Sequence, residues 1–236
     1  MGPACALARQ LRGATGFFKV GSQLFTAEGP RAVEKLAGLG TGIFLDLKFH
    51  DIPTTVAKAV AAAAKLPKVR LLTLHASGGL AMMRAAGGAL TGQANRPALL
   101  AVTILTSLDA AALRRVGVSG SPGTRALALA RLAQEAGLDG VVASAREVRA
   151  IRGACGPKFL IVVPGVRPAS ASVNDQSRVA TPSEAIRAGA DYLVIGRPIA
   201  EAADPHQAAL AIAKEIAAAR AHRITGTSSR RAPTRI

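Results

Sequence analysis

The chain has 236 residues, 30 Lys and Arg against 14 Asp and Glu, a formal net charge of +16 and a pI near 11.4. Half of the residues are hydrophobic, yet only 3% are aromatic and Trp is absent. Such a chain is neither disordered nor too short for a core, and that core must be Ala, Val, Leu and Ile. The mean hydropathy of +0.29 does not signal a membrane span. The most apolar helical stretch, residues 56–66, is broken by Lys58 and Lys65, well short of the ~20 apolar residues a span needs. Arg9 and Arg12 interrupt the N-terminal segment where an apolar signal region would lie. Two cysteines, Cys5 and Cys155, make no disulfide framework, so the expectation is a soluble, reduced, cytoplasmic protein. The basic balance raises nucleic acid as a partner. With one Tyr and no Trp to stack on bases, that partner is set aside in favour of an Arg-rich surface handling anionic metabolites.

In chain order, residues 4–11 read as a helix. Short apolar runs rich in β-branched residues follow at 17–20, 43–47, 71–74, 99–104, 141–143, 159–163 and 192–195, with Ala-rich helical segments between them. Near-continuous apolar strands alternating with helices predict a parallel sheet buried on both faces. Pro30 and Pro53 stand at first helical positions. Thr181-Pro182-Ser183-Glu184 reads as a capping box, and Gly137 and Gly189 as helix stops. Cys155, beside Gly153 and Gly156, reads as a loop thiol, and Met82-Met83 as packing. The last twenty residues carry Arg220, Arg223, Arg230, Arg231 and Arg235 and no acid. One domain over residues 1–222 with a basic, disordered tail over 223–236 is expected. A repeated strand–helix unit of this size predicts a (β/α)₈ barrel. The rival, a doubly wound open sheet, lacks its Gly-x-Gly-x-x-Gly turn. Only seven strands are counted, as if the first were missing.

The chemistry lies in residues 44–56, Phe-Leu-Asp-Leu-Lys-Phe-His-Asp-Ile-Pro-Thr-Thr-Val. Asp46 and Lys48 are two apart at the end of an apolar strand, so both side chains leave one face while Leu45 and Leu47 face the helices. In a barrel this puts a carboxylate and an ammonium inside the C-terminal rim, where barrel active sites lie. Burying such a pair for stability alone is costly. Asp51 follows in the loop. Lys19, in Gly16-Phe17-Phe18-Lys19-Val20-Gly21 on the adjoining strand, can reach Asp46, giving an alternating array of Lys, Asp, Lys and Asp. No histidine pair has ligand spacing with a third partner, so no metal is expected; His50 and His75 are assigned supporting roles.

Asp46 to Pro53 resembles the signature of the orotidine 5′-phosphate decarboxylase family, although Thr54-Thr55 replaces the usual Asn-Thr. Further motifs resemble the family in order: Phe18 to Gly21, His75 to Gly79 with Met82-Met83, Leu105-Thr106-Ser107, Pro164 to Pro168 with Asp175-Gln176, and Ile195 to Ile199. The resemblance implies decarboxylation of orotidine 5′-phosphate to uridine 5′-phosphate without metal or cofactor. It makes Lys48 the acid that protonates C6, sets Asp46 against the departing carboxylate, and gives Lys19 the ribose. It makes the protein a homodimer with shared sites, Asp51 and Thr55 reaching into the neighbour's site beside Ile52 and Pro53. Thr106 and Ser107 would read the pyrimidine, and Arg167, Gln176, Gly196 and Arg197 the phosphate. The loop 164–180, rich in Ser, Ala and Pro, is expected to close as a lid.

Two rivals are kept. A related barrel group of Mg²⁺-dependent sugar-phosphate decarboxylases and aldolases shares Asp-x-Lys-x-x-Asp. An inactive anion-binding remnant would follow if the first strand, which in the family carries an Asp, is absent. Met1 to Cys5 offers neither strand nor Asp, and the expectation is that the sequence starts one strand too late and that a longer form is more soluble and more active.

Overall fold

The computed structural model describes residues 1–168 and 180–228. Its elements are α1 (Gly2–Gln10), β1 (Phe17–Gly21), α2 (Ser22–Glu28), α3 (Pro30–Ala37), β2 (Gly42–Phe49), α4 (Pro53–Ala64), β3 (Val69–His75) and α5 (Gly79–Gly88), the last entered through a 3₁₀ turn at Ala76–Gly78. They continue with β4 (Ala98–Val102), α6 (Ala110–Arg115), α7 (Pro122–Glu135), β5 (Gly140–Val142), α8 (Val148–Cys155), β6 (Leu160–Pro164), α9 (Pro182–Ala188), β7 (Tyr192–Val194), α10 (Arg197–Ala200) and α11 (Pro205–Ser228). All seven strands pair in parallel, in sequence order. The result is a nearly closed TIM barrel with helices outside it.

Strand periodicity divides the apolar residues into two layers. Phe44, Leu71, Leu100, Val102, Val142 and Val162 point inward and pack with Phe17, Tyr192 and Val194. Their neighbours Ile43, Leu45, Leu72, Leu74, Ala101, Val141 and Ile161 point outward and pack with the helices. Cross-strand registers keep the inward set aligned: Phe44 lies beside Leu71, Val102 beside Val142, Val142 beside Val162 and Val162 beside Tyr192. Gly140 is required in this layer, because a Cβ there would collide with the carbonyl oxygen of Leu160.

The turns feeding β5 and β7 are built alike. Asp139 accepts the Leu99 amide at 2.7 Å and both guanidinium arms of Arg96 at 2.6 and 2.7 Å. Asp191 accepts the Ile161 amide at 2.8 Å and Arg152 at 2.6 Å. Each aspartate therefore ties the start of its own strand to the strand before it, at the barrel end opposite the strand C-termini. Arg152 also donates to the carbonyls of Gly156, Phe159 and Gly189, which makes it the main polar clasp of that corner.

The expected helix punctuation is present. Pro30 and Pro53 open α3 and α4, the Thr181–Glu184 capping box is complete, and Gly189 ends α9 in the left-handed region. Met82 and Met83 are fully buried. Cys155 corrects the reading of a loop thiol. It is the buried last residue of α8, one heptad after Val148 and in line with Ile151, and burial pushes its thiol up. The helix stops only at Gly156, whose φ is +81°. The expected tail begins as helix, since α11 runs through Ser228; residues 229–236 lie outside the described residues. Among the described residues no strand precedes α1, and no helix is long and apolar enough to cross a membrane. β1 and β7 are the two ends of the sheet order. The rings of Phe17 and Tyr192 meet edge to face across the opening, with centroids 5.6 Å apart.

Candidate active site

The site is organised by an irregularity in β2. Its ladder to β3 is regular at Phe44 and Leu45, then slips before Phe49. Within the slip Lys48 takes φ = +52°, a left-handed conformation costing a non-glycine residue roughly 1–2 kcal/mol. The Lys48 amide donates instead to the Thr73 hydroxyl oxygen at 2.9 Å. That hydroxyl in turn donates to Asp46 Oδ1 at 2.9 Å. The sequence reading brought Lys48 beside Asp46 by simple alternation. The structure brings them together through a distorted strand end whose strain is held by a side chain from β3.

Asp46 is only 8% exposed. Its Oδ2 accepts from Lys48 Nζ at 2.7 Å and faces Lys19 Nζ at 3.4 Å. Burial pushes the Asp46 carboxyl up, but the Lys48 hydrogen bond and charge, the Lys19 charge and the Thr73 hydroxyl together hold it below its ordinary value. The two ammoniums are a third or more exposed, at 33% and 37% of their side chains, so they open toward the barrel mouth while the carboxylate is anchored below them. Two cations share one carboxylate oxygen, and the cluster carries surplus positive charge. Gly21 makes room for this arrangement: a Cβ there would lie 3.0 Å from Lys19 Nζ.

His75, the last residue of β3, is half-buried and stands 5.5 Å, ring to ring, from His50. Burial, His50 and Lys48 push its imidazole toward the neutral form, against the opposing pull of Asp46.

The remaining expected residues lie apart from this core. Asp51 is exposed; its carboxylate accepts the neighbouring Ile52 amide at 2.7 Å, and it forms no ion pair among the described residues. Ile52 is 64% exposed, Pro53 opens α4, and Thr55 is exposed on its first turn. Thr106 and Ser107 occupy the turn after β4, closed by the Leu108 amide on the Leu105 carbonyl. Arg167 is buried just beyond β6, its amide donating to the Ala180 carbonyl. Gly196 and Arg197 are exposed at the start of α10, just beyond β7. All of these follow strand C-termini, on the rim that carries Asp46 and Lys48. Gln176, and most of the expected lid, lie outside the described residues. Thr73 was missed. Its one visible signal is a hydroxyl at an inward position of the otherwise apolar run 71–74.

A sequence profile described as the orotidine 5′-phosphate decarboxylase / HUMPS family matches residues 2–212. The chain is 55% identical over 213 residues to the orotidine 5′-phosphate decarboxylase of Nitrosococcus oceani, covering 90% of this chain and 91% of that one. It is 57% identical over 205 residues to the enzyme of the same name from Pelobacter propionicus, covering 86% and 85%. Among solved structures it is similar to the orotidine 5′-phosphate decarboxylase of Lactobacillus acidophilus, with a TM-score of 0.74, 40% identity and coverage of 84% and 85%.

Proposed function

The chain belongs to the orotidine 5′-phosphate decarboxylase / HUMPS family, and from that premise we propose how its residues carry out the reaction its relatives are named for. It converts orotidine 5′-phosphate to uridine 5′-phosphate, the decarboxylation step of pyrimidine nucleotide synthesis. The observation that carries the reading is the cluster of Asp46, Lys48 and Lys19 at the barrel mouth, held by Thr73.

Loss of carbon dioxide leaves an electron pair on C6 of the pyrimidine, with no adjacent sink to accept it. An ammonium fixed beside that carbon stabilises the charge as it develops and then donates its proton. Lys48 is the group for this step. Its backbone is pinned by Thr73 and its Nζ by Asp46, so little reorganisation is needed as charge appears. Asp46, kept ionised, lies against the substrate carboxylate and favours its departure. Lys19 steadies Asp46 and reaches the ribose. Arg167, Gly196 and Arg197, with Gln176, take the phosphate, whose binding energy draws the reacting carbon into place. Thr106 and Ser107 meet the pyrimidine edge.

Asp51 completes the array in a second copy of the chain, along with Ile52 and Thr55. What supports a homodimer with shared sites is that Asp51, Ile52 and Thr55 are exposed together on one loop and helix start. No metal or organic cofactor enters the reaction, and the location is cytoplasmic.

The test follows the loss of orotidylate absorbance. The chain should consume the substrate in the presence of EDTA, and Lys48→Ala should leave no detectable turnover while the far-ultraviolet circular dichroism is unchanged. A Lys48→Ala protein that keeps a tenth of the parent kcat refutes the assignment. Inhibition by EDTA, reversed by Mg²⁺, would point to the sugar-phosphate chemistry instead.

A further inference from the structure

The loop that carries Asp51 is short. β2 ends at Phe49, paired with Leu74 of β3, and α4 begins at Pro53, so only His50, Asp51 and Ile52 lie between them. Asp51 and Ile52 are exposed, and the one hydrogen bond of the Asp51 carboxylate among the described residues is from the neighbouring Ile52 amide. His50 is the residue that ties this loop sideways to another element. Its ring stands 5.5 Å from the ring of His75, tilted by 43°, and its Cδ2 edge covers Gly78 in the 3₁₀ turn after β3. The residue is otherwise exposed.

Gly78 shows that this contact is fitted. Its φ of −68° and ψ of −9° are right-handed values that any residue adopts, so the backbone does not call for glycine there. Space does. A Cβ on Gly78 would collide with the sulfur of the buried Met82 and lie 3.2 Å from His50 Cδ2. The seat itself belongs to the barrel frame: His75 pairs with Val102 of β4, Ala76 is fully buried, and the Gly79 amide closes the turn on the Ala76 carbonyl. His75 is pushed toward its neutral form, so the ring that His50 meets carries no charge to repel it.

We propose that His50 is a positioning residue for the neighbouring active site: seated on Gly78 and against His75, it fixes the loop that presents Asp51 to a second copy of the chain. The inference rests on the shared sites of the reading above and names what holds the shared carboxylate in place. A carboxylate that serves another chain is ordered by its own chain before the two meet, and such preorganisation removes an ordering cost from assembly of the site.

The test is which mixture of inactive or impaired proteins regains orotidylate decarboxylation. His50→Ala should fold and elute as the parent does, with kcat/KM lowered ~10–10²-fold, as a displacement of about 1 Å in the site would produce. His50→Phe keeps a flat ring over Gly78 and should recover most of that loss. Mixed with Lys48→Ala, His50→Ala should regain activity, because one site of the mixed dimer joins an intact Lys48 to an Asp51 seated by its own His50. Mixed with Asp51→Ala it should regain none, because neither site then holds a seated Asp51. Gly78→Ala disturbs the seat from below and should complement in the same pattern, and it should add little to His50→Ala, since ring and methyl compete for one space. Recovery with Asp51→Ala would place the effect of His50 in the site of its own chain. That pattern, any pattern other than recovery with Lys48→Ala alone, or a His50→Ala protein with the parent kcat/KM overturns the proposal. Lys48→Ala mixed with Asp51→Ala is the control: its recovery keeps the shared sites standing whatever His50 does, and its failure removes the shared sites and this proposal together.

Discussion

Thr73→Val tests whether the strained end of β2 is held by one hydroxyl. The substitution keeps the shape of the side chain and removes two hydrogen bonds, the one given to Asp46 Oδ1 and the one taken from the Lys48 amide, both 2.9 Å. The first is to a charged acceptor and is worth about 1.5–3 kcal/mol; losing the second leaves a part-buried N–H without its acceptor, about 1–3 kcal/mol. The two share one network, so they do not simply add; a total near 2–4 kcal/mol is expected. For a chain of this size each kcal/mol moves the melting temperature by about 2–4 °C, so a fall of roughly 5–15 °C should appear in a calorimetric scan. Activity should fall further than stability implies. Lys48, freed from its anchor, can relax out of φ = +52°, and a displacement of the proton donor by about 1 Å can cost ~10²-fold in rate. Thr73→Ser keeps the hydroxyl and should recover most of both losses. If Thr73→Val melts within a degree of the parent and turns over at the parent kcat, the hydroxyl is not what holds Lys48.

Further outcomes follow from the same geometry. Lys48→Gly and Lys48→Ala should both be inactive, but the glycine variant should be more stable by about 1 kcal/mol, because glycine takes positive φ without strain; a less stable glycine variant in urea titrations would remove the strain argument. Gly21→Ala places a methyl 3.0 Å from Lys19 Nζ and should lower kcat/KM by ~5–30-fold, as expected for 1–2 kcal/mol of lost positioning, with an unchanged fold. Asp46 has a lowered pKa, so its stabilising contribution is fully present above its ordinary value of 3.8 and disappears as pH falls through the lower folded value. Asp46→Asn should therefore flatten the acid limb of the stability–pH curve, and an identical limb in parent and variant would contradict the pairing. Mixing inactive Lys48→Ala and Asp51→Ala proteins should restore activity by assembling one complete site per mixed dimer. No recovery, with subunit exchange shown by mass spectrometry, counts against shared sites.

The parts of this protein legible from sequence are those fixed by local pattern. Strands buried on both faces read as apolar runs, and proline at N1 or a complete capping box marks a helix start whatever surrounds it. Thus the seven strands, α3, α4 and α9 could be drawn from residues alone. The inward placement of Asp46 and Lys19 followed from period-two alternation on adjoining strands. The contribution of Thr73 did not, because a hydroxyl within an apolar strand has no sequence signature of what it bonds; its two partners lie 25 and 27 residues away. The positive φ of Lys48 was hidden for the same reason, being stabilised across strands and against local preference. Cys155 was misread because Gly153 and Gly156 look like loop residues, whereas the buried stripe of Val148, Ile151 and Cys155 carries the helix through the first of them.

The unbalanced charge of the cluster bears on why one geometry can serve both halves of the proposed reaction. Asp46 is anchored on one oxygen by Thr73 and paired on the other with Lys48, so it cannot turn away when a second carboxylate approaches. In the proposed reaction the substrate's carboxylate would lie against the fixed Asp46 carboxylate in the ground state. Once carbon dioxide has gone, the negative charge sits on carbon, and what it would meet is the Lys48 ammonium, in a cluster whose net charge is positive. An interaction of the first kind raises the bound ground state and one of the second lowers the transition state, so both narrow the same barrier. A neutralised pair, one lysine to one aspartate, would do neither well. Keeping the extra cation costs folding energy, because burying unpaired charge is unfavourable. The barrel limits that cost by leaving both lysine side chains a third or more exposed and burying only the carboxylate, which both ammoniums flank.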